Sequence, residues 1–158
     1  MSKGGSGLFN GTKGNGIQNI ERLFPNPADE STAVVWEHIK ATQETYSGTV
    51  IPKSFEVDVP KSSKTPAGKM WTHGNATEHM YEAMISIKES PRLKGSNPNL
   101  YSQFILYDYY KSLGRAIKKG INFKTTVRIG NWEFAFAQAR NGQNYPVVKH
   151  ALFTGLEK

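Results

Sequence analysis

Four histidines and no cysteine bound the chemistry open to this chain of 158 residues. Without a thiol there is no disulfide framework, no cysteine-based zinc site and no thiolate nucleophile. The sequence holds no HExxH, no phosphate-binding P-loop, no GxSxG elbow and no dinucleotide fingerprint. Its acidic residues are scattered, so no Asp/Glu cluster suggests a two-metal nuclease. His73 and His79 have the residue type for zinc, but no third ligand stands with them. The expectation is a site without metal and without cofactor. Metal-free RNA cleavage fits these residues, because the ribose 2′-hydroxyl already supplies the nucleophile. The protein then adds a base, an acid and cations for the phosphate oxygens. Histidine suits both proton roles, since its ordinary pKa lies near neutrality.

Two places supply such residues. His73 and His79 bracket an expected helix start, where backbone N–H groups and the helix dipole favour a phosphate. A capping or surface histidine would look the same in sequence. The C-terminal part offers Arg128, Glu133, Lys149 and His150 on expected neighbouring strands. Lys149 and His150 are consecutive, so in a regular strand only one of them reaches a shared site. Glu133 suits a general base or an arginine partner. Candidate catalytic residues are therefore His73, His79, Arg128, Glu133 and His150. Candidate substrate contacts are Asn75, Thr77, Gln103, Trp132 and Lys149, with Trp132 better suited to filling a core than to stacking on a base.

Charge points to the same partner. Residues 1–50 carry four Lys or Arg against five Asp or Glu, and the remainder sixteen against eight. The whole excess of +7 thus lies beyond residue 50, which favours an anionic partner, nucleic acid ahead of a membrane surface. No apolar run is long enough to span a bilayer, no signal-peptide pattern opens the chain, and no basic amphipathic helix with an aromatic face stands out.

The elements that would hold these residues follow from the hydrophobic period. Residues 1–16 are rich in Gly, Ser, Asn and Lys and are expected to be disordered. A short helix is expected over 17–24 and a longer one over 29–46, with Val34, Val35 and Ile39 on one side and Gly48 closing it. Residues 55–59 and 69–73 alternate as strands of a hairpin. Asn75 is the expected N-cap of a helix over 76–89, with Glu78 three residues on and Met80, Met84 and Ile87 inward. The longest helix is expected over 99–119, with Leu106, Tyr110, Leu113 and Ile117 on its buried face and Gly120 as its stop. Strands over 122–129, 132–139 and 145–153 follow, joined at Gly130-Asn131 and near Asn141-Gly142. The fold class is α+β, with helices on one face of an antiparallel sheet that ends in a β-meander. Residues 1–48 form a leader and 49–158 the functional domain.

Four segments carry a family resemblance: Ile51-Pro52-Lys53-Ser54-Phe55, the string from Trp71 to Met80 (WTHGNATEHM), Gly130-Asn131-Trp132-Glu133-Phe134 and Pro146-Val147-Val148-Lys149-His150-Ala151-Leu152. Over about residues 49–153 the chain resembles the C-terminal toxin domains of large polymorphic toxins of Gram-positive bacteria, of the WapA, Rhs and LXG types. That resemblance implies a barnase/EndoU/colicin/RelE-like fold, with helices followed by a four-stranded antiparallel sheet. It also implies interbacterial, contact-dependent killing, often by cleavage of RNA or tRNA in the target-cell cytoplasm. Residues 1–48 would be the variable junction to a secreted or cell-surface delivery protein, and a cognate acidic immunity protein would neutralise the domain. A metal-independent endoribonuclease is thus the leading expectation. A DNase, an NAD-consuming enzyme and a non-catalytic nucleic-acid binder are the alternatives.

Overall fold

The computed structural model describes residues 30–89, 98–139 and 145–154. The expected disordered leader, the short helix over 17–24, the inward place of Ile87, the loop before the long helix and the turn at Asn141-Gly142 lie outside what is described. A six-stranded sheet is flanked by two α-helices: β1 (Ile39–Ala41), β2 (Ser54–Asp58), β3 (Lys69–His73), α1 (Asn75–Glu89), α2 (Pro98–Lys119), β4 (Val127–Ile129), β5 (Trp132–Ala137) and β6 (Val147–Phe153). The α+β class expected from the sequence holds, and β4, β5 and β6 form the C-terminal meander.

The sheet is mixed. Its spatial order is β1-β2-β3-β6-β5-β4, and β3 runs parallel to β6, with Trp71 opposite Val147 and Thr72 opposite Val148. Every other pairing is antiparallel. Three strands precede the helices, so the order differs from the helices-then-four-strands arrangement that the resemblance implies. A parallel neighbour needs a long crossover, and α1, α2, β4 and β5 together form it.

The expected helix over 29–46 is a 3-10 helix that stops at Glu37. Past it, Ile39 pairs with Val57 and becomes buried, as β2 offers an open ladder of backbone partners. The folded unit therefore begins ahead of residue 49, because Val35 and Ile39 belong to the same core as the later strands. The β2–β3 hairpin forms as its alternation dictates, Phe55 and Val57 facing Thr72 and Met70 across the ladder. The expected strand over 122–129 shortens for a local reason. The Asn122 carboxamide oxygen accepts from the Lys124 and Thr125 N–H groups, both at 2.9 Å, which bends the backbone away from a ladder. At the other end of β4, Gly130 takes φ +58°, as its two-residue turn requires.

Tyr109 of α2 anchors the core. It is completely buried, its hydroxyl lies 2.6 Å from that of Thr72, and its ring meets Phe55, Trp132 and Phe134 edge-on. Burial pushes the Tyr109 hydroxyl pKa far up, against the lowering hydrogen bond to Thr72. Leu106, Leu113 and Ile117 are inward as expected, but Tyr110 is only half-buried and stacks on His38 instead. The helix phase selects the neighbouring tyrosine for the core. Met80 and Met84 of α1 join the same cluster. Among the described residues no helix is long and apolar enough to cross a membrane.

Candidate functional site

The strand-to-helix junction places the first histidines. β3 ends at His73, half-buried and opposite Ser54. Gly74 then takes φ +61°, and its carbonyl accepts the first helical hydrogen bond, from Glu78 N–H at 3.1 Å. The cap position expected at Asn75 thus falls one residue earlier, and Asn75 is the exposed first residue of α1. His79 lies one turn inside α1, which packs beside β6. There its ring stands edge-on to that of His150, centroids 5.3 Å apart.

His150 is brought to this point by a bulge. Ala135 faces His150 and Phe136 faces Val148, so Lys149 is the extra residue, exposed and without a partner across the ladder. Glu133 lies diagonally from His150 on β5. One of its oxygens is 3.3 Å from His150 Nε2 and the other 3.6 Å from Arg128 Nε on β4. Glu82, three residues after His79, lies 2.9 Å from His79 Nδ1. Each imidazole therefore has one ring nitrogen at a carboxylate. Where that nitrogen carries the proton, the other, His79 Nε2 or His150 Nδ1, is the basic one. His79, His150, Glu133 and Arg128 form one partly exposed cluster on four elements, α1, β4, β5 and β6.

Other expected site residues go elsewhere. Trp132 is a core residue: it is completely buried, stacked on Phe134, and donates its indole N–H to Asp108 Oδ2 at 2.8 Å. Thr77 is also fully buried, and its hydroxyl donates to the Lys53 carbonyl at 2.9 Å, tying α1 to the loop before β2. Gln103 accepts the indole N–H of Trp36 at 2.8 Å and so fastens the 3-10 helix to α2. Trp132 and Thr77 are fully buried and have no surface to offer a substrate, whereas Gln103 is half-buried. Among the described residues, no three His, Asp or Glu side chains are placed to hold a metal ion.

No family model and no curated protein matches this chain.

A second group escaped the sequence reading. A cleft of about 720 Å³ opens between α2 and the chain around His38 and Asp58. Tyr107, Lys111, Arg115 and Lys118 line it from one face of α2. Their spacing of four, four and three is a helical stripe, and that signal is present in the sequence. The His38–Asp58 contact at 3.3 Å has no such signal, because only the β1–β2 edge brings the two together. Burial raises the Asp58 carboxyl pKa, yet the Lys69 ammonium at 2.6 Å and His38 outweigh it and hold the carboxyl below the ordinary range.

Asp108, at the same cleft, behaves oppositely. Burial pushes its carboxyl pKa up, against the lowering pull of the Trp132 N–H and of Arg115. A raised acid binds its proton more tightly folded than unfolded. Folding stability is therefore lost as pH climbs from the ordinary carboxylate range, about 4, through the raised value. Asp108→Asn keeps an acceptor for the indole and removes that loss. Its stability relative to wild type should rise across this window in urea melts taken from acid to neutral pH. Asp108→Ala should instead cost about 1–3 kcal/mol, since it leaves the buried Trp132 N–H without an acceptor. Equal pH dependence in wild type and Asp108→Asn would contradict the assignment.

Proposed function

We propose that this protein is a metal-independent endoribonuclease, the toxic domain of an interbacterial delivery protein, with tRNA its foremost substrate. The convergence of His79 and His150, with Glu133 and Arg128 beside them, carries the reading. In this scheme one imidazole takes the proton of the ribose 2′-hydroxyl as that oxygen attacks phosphorus. The other delivers a proton to the departing 5′-oxygen. Arg128, with 61% of its side chain exposed, neutralises charge on the phosphate oxygens. Glu133 and Glu82 hold the two rings and act through them. His73 at the end of β3, Asn75 as the first residue of α1 and Lys149 at the bulge within β6 are proposed to contact the strand.

The resemblance of residues 49–153 to polymorphic toxin domains supports the toxic role, delivery from a secreted or surface protein, and action in the target-cell cytoplasm. The excess of basic residues supports an acidic immunity protein as the inhibitor, captured by electrostatic steering. The experiment is direct. Purified protein is incubated with total RNA, plasmid DNA and NAD, with and without EDTA. Cleavage of RNA in EDTA to products with 2′,3′-cyclic phosphate ends is expected. Activity abolished by EDTA and restored by magnesium or zinc would sink the reading, as would consumption of DNA or NAD alone.

A further inference from the structure

We propose that the cleft beside α2 binds a nucleoside phosphate, its base against the stacked rings of His38 and Tyr110 and its phosphate on Lys111, Arg115 and Lys118. The site is separate from the His79–His150 cluster, so it does not rest on the ribonuclease reading.

Three features fit that ligand. First, His38 and Tyr110 form a flat platform, ring centroids 4.6 Å apart and 6° from parallel, and both residues are half-exposed. A heteroaromatic base extends such a stack whatever its identity. Asp58 holds His38 Nδ1 at 3.3 Å and so fixes the ring's orientation. Second, cations outnumber usable anions. Lys111 and Lys118 are exposed and make no ion pair among the described residues. Arg115 donates to the Ser112 hydroxyl at 3.1 Å and is also felt by the Asp108 carboxyl, whose pKa it lowers. Both carboxylates lining the cleft are already engaged, Asp58 by Lys69 at 2.6 Å and Asp108 by the Trp132 N–H at 2.8 Å. Third, there is room. The 720 Å³ volume lies within the span of about 300–1,000 Å³ that small-molecule sites occupy. Gly114 lines it, and a methyl there would reach ordinary contact, 3.8 Å, with Pro60 on the facing wall. Glycine in a helix interior costs stability, and this position places it where bulk would narrow the cleft.

A free nucleotide and one unit of an RNA strand present the same chemistry, and binding measurements separate them. Calorimetric titration of the full chain would use adenosine 5′-monophosphate, inorganic phosphate and a short 2′-O-methylated oligoadenylate, whose blocked 2′-oxygen cannot act as a nucleophile. The nucleotide or the oligomer should bind more tightly than phosphate. Lys111→Glu and Lys118→Glu should each weaken that binding by about tenfold or more, the worth of one charge-assisted contact. Lys124→Glu, an equal charge change at an exposed residue outside the cleft, should leave it unchanged. Tighter binding of the oligomer identifies a strand as the source, and binding of the mononucleotide alone identifies a free nucleotide. Either outcome supports the site. No binding of either ligand, equal affinity for phosphate and nucleotide, or equal weakening by Lys124→Glu would overturn it.

Discussion

Alanine at His79 or at His150 is expected to slow RNA cleavage by about 10²-fold or more, the usual worth of a proton-transfer group. Both side chains are about one quarter exposed, 26% and 25%, and meet each other only ring to ring. Neither belongs to the hydrophobic core. Loss of either ring should thus leave the thermal melt close to wild type, within about 0.5–1 kcal/mol. In the proposed scheme the two rings act as one acid–base unit, so the double variant should be little worse than the slower single one. Arg128→Ala should lower turnover as well, through lost stabilisation of phosphate charge. The measurement is single-turnover cleavage of tRNA in EDTA, with circular dichroism as the folding control. Folded His79→Ala and His150→Ala proteins that cleave at the wild-type rate would remove the cluster from the chemistry.

The largest stability effect should come from Trp132. Its ring stacks on Phe134 at 6.0 Å, meets Tyr109 edge-on at 5.3 Å and lies 5.2 Å from Phe153. Truncation to alanine opens a cavity among rings held by three different elements, which costs about 3–5 kcal/mol. It also strips Asp108 of its indole donor. For a domain of ordinary stability, about 5–15 kcal/mol, that is a large share. Trp132→Phe retains most of the apolar volume and forfeits mainly the hydrogen bond, so its loss should be nearer 1–2 kcal/mol. Per folded molecule, Trp132→Phe should cleave RNA as wild type does, because the indole is enclosed and has no open face for a base. A Trp132→Ala protein within about 1 kcal/mol of wild type in urea melts would contradict the core role.

Local pattern carried much of this architecture. The alternation of Phe55 and Val57, the Gly130-Asn131 turn, the Gly120 stop and the period of both helices are short-range signals, and the structure follows them. What escaped is non-local. Nothing near Ile39 announces that Val57 awaits it, so helical composition through residue 46 misled. Tyr109 and Tyr110 are chemically alike in sequence, and a rotation of about 100° around the helix decides which one is core. Thr77 reads in sequence as a substrate contact, but the loop before β2 supplies its acceptor and buries it. In the candidate site, residue types identified His79, His150, Glu133 and Arg128. Glu82 and the bulge that aims His150 became visible only in three dimensions.

The parallel seam between β3 and β6 also shapes how the chain reaches its native state. The hairpin of β2 and β3 and the meander of β4 to β6 each rest on contacts close in sequence, whereas the seam joins Trp71 to Val147. Loop-closure entropy must be overcome before that contact returns anything, so the two halves should assemble early and unite late. Until they unite, β3 and β6 are both unprotected strand edges, carrying Met70, Val148 and Ala151 that the finished core buries. Such edges invite pairing with other chains. The rate of closing this seam, relative to encounters between molecules, therefore sets how concentrated the unfolded chain can be before aggregation competes with folding.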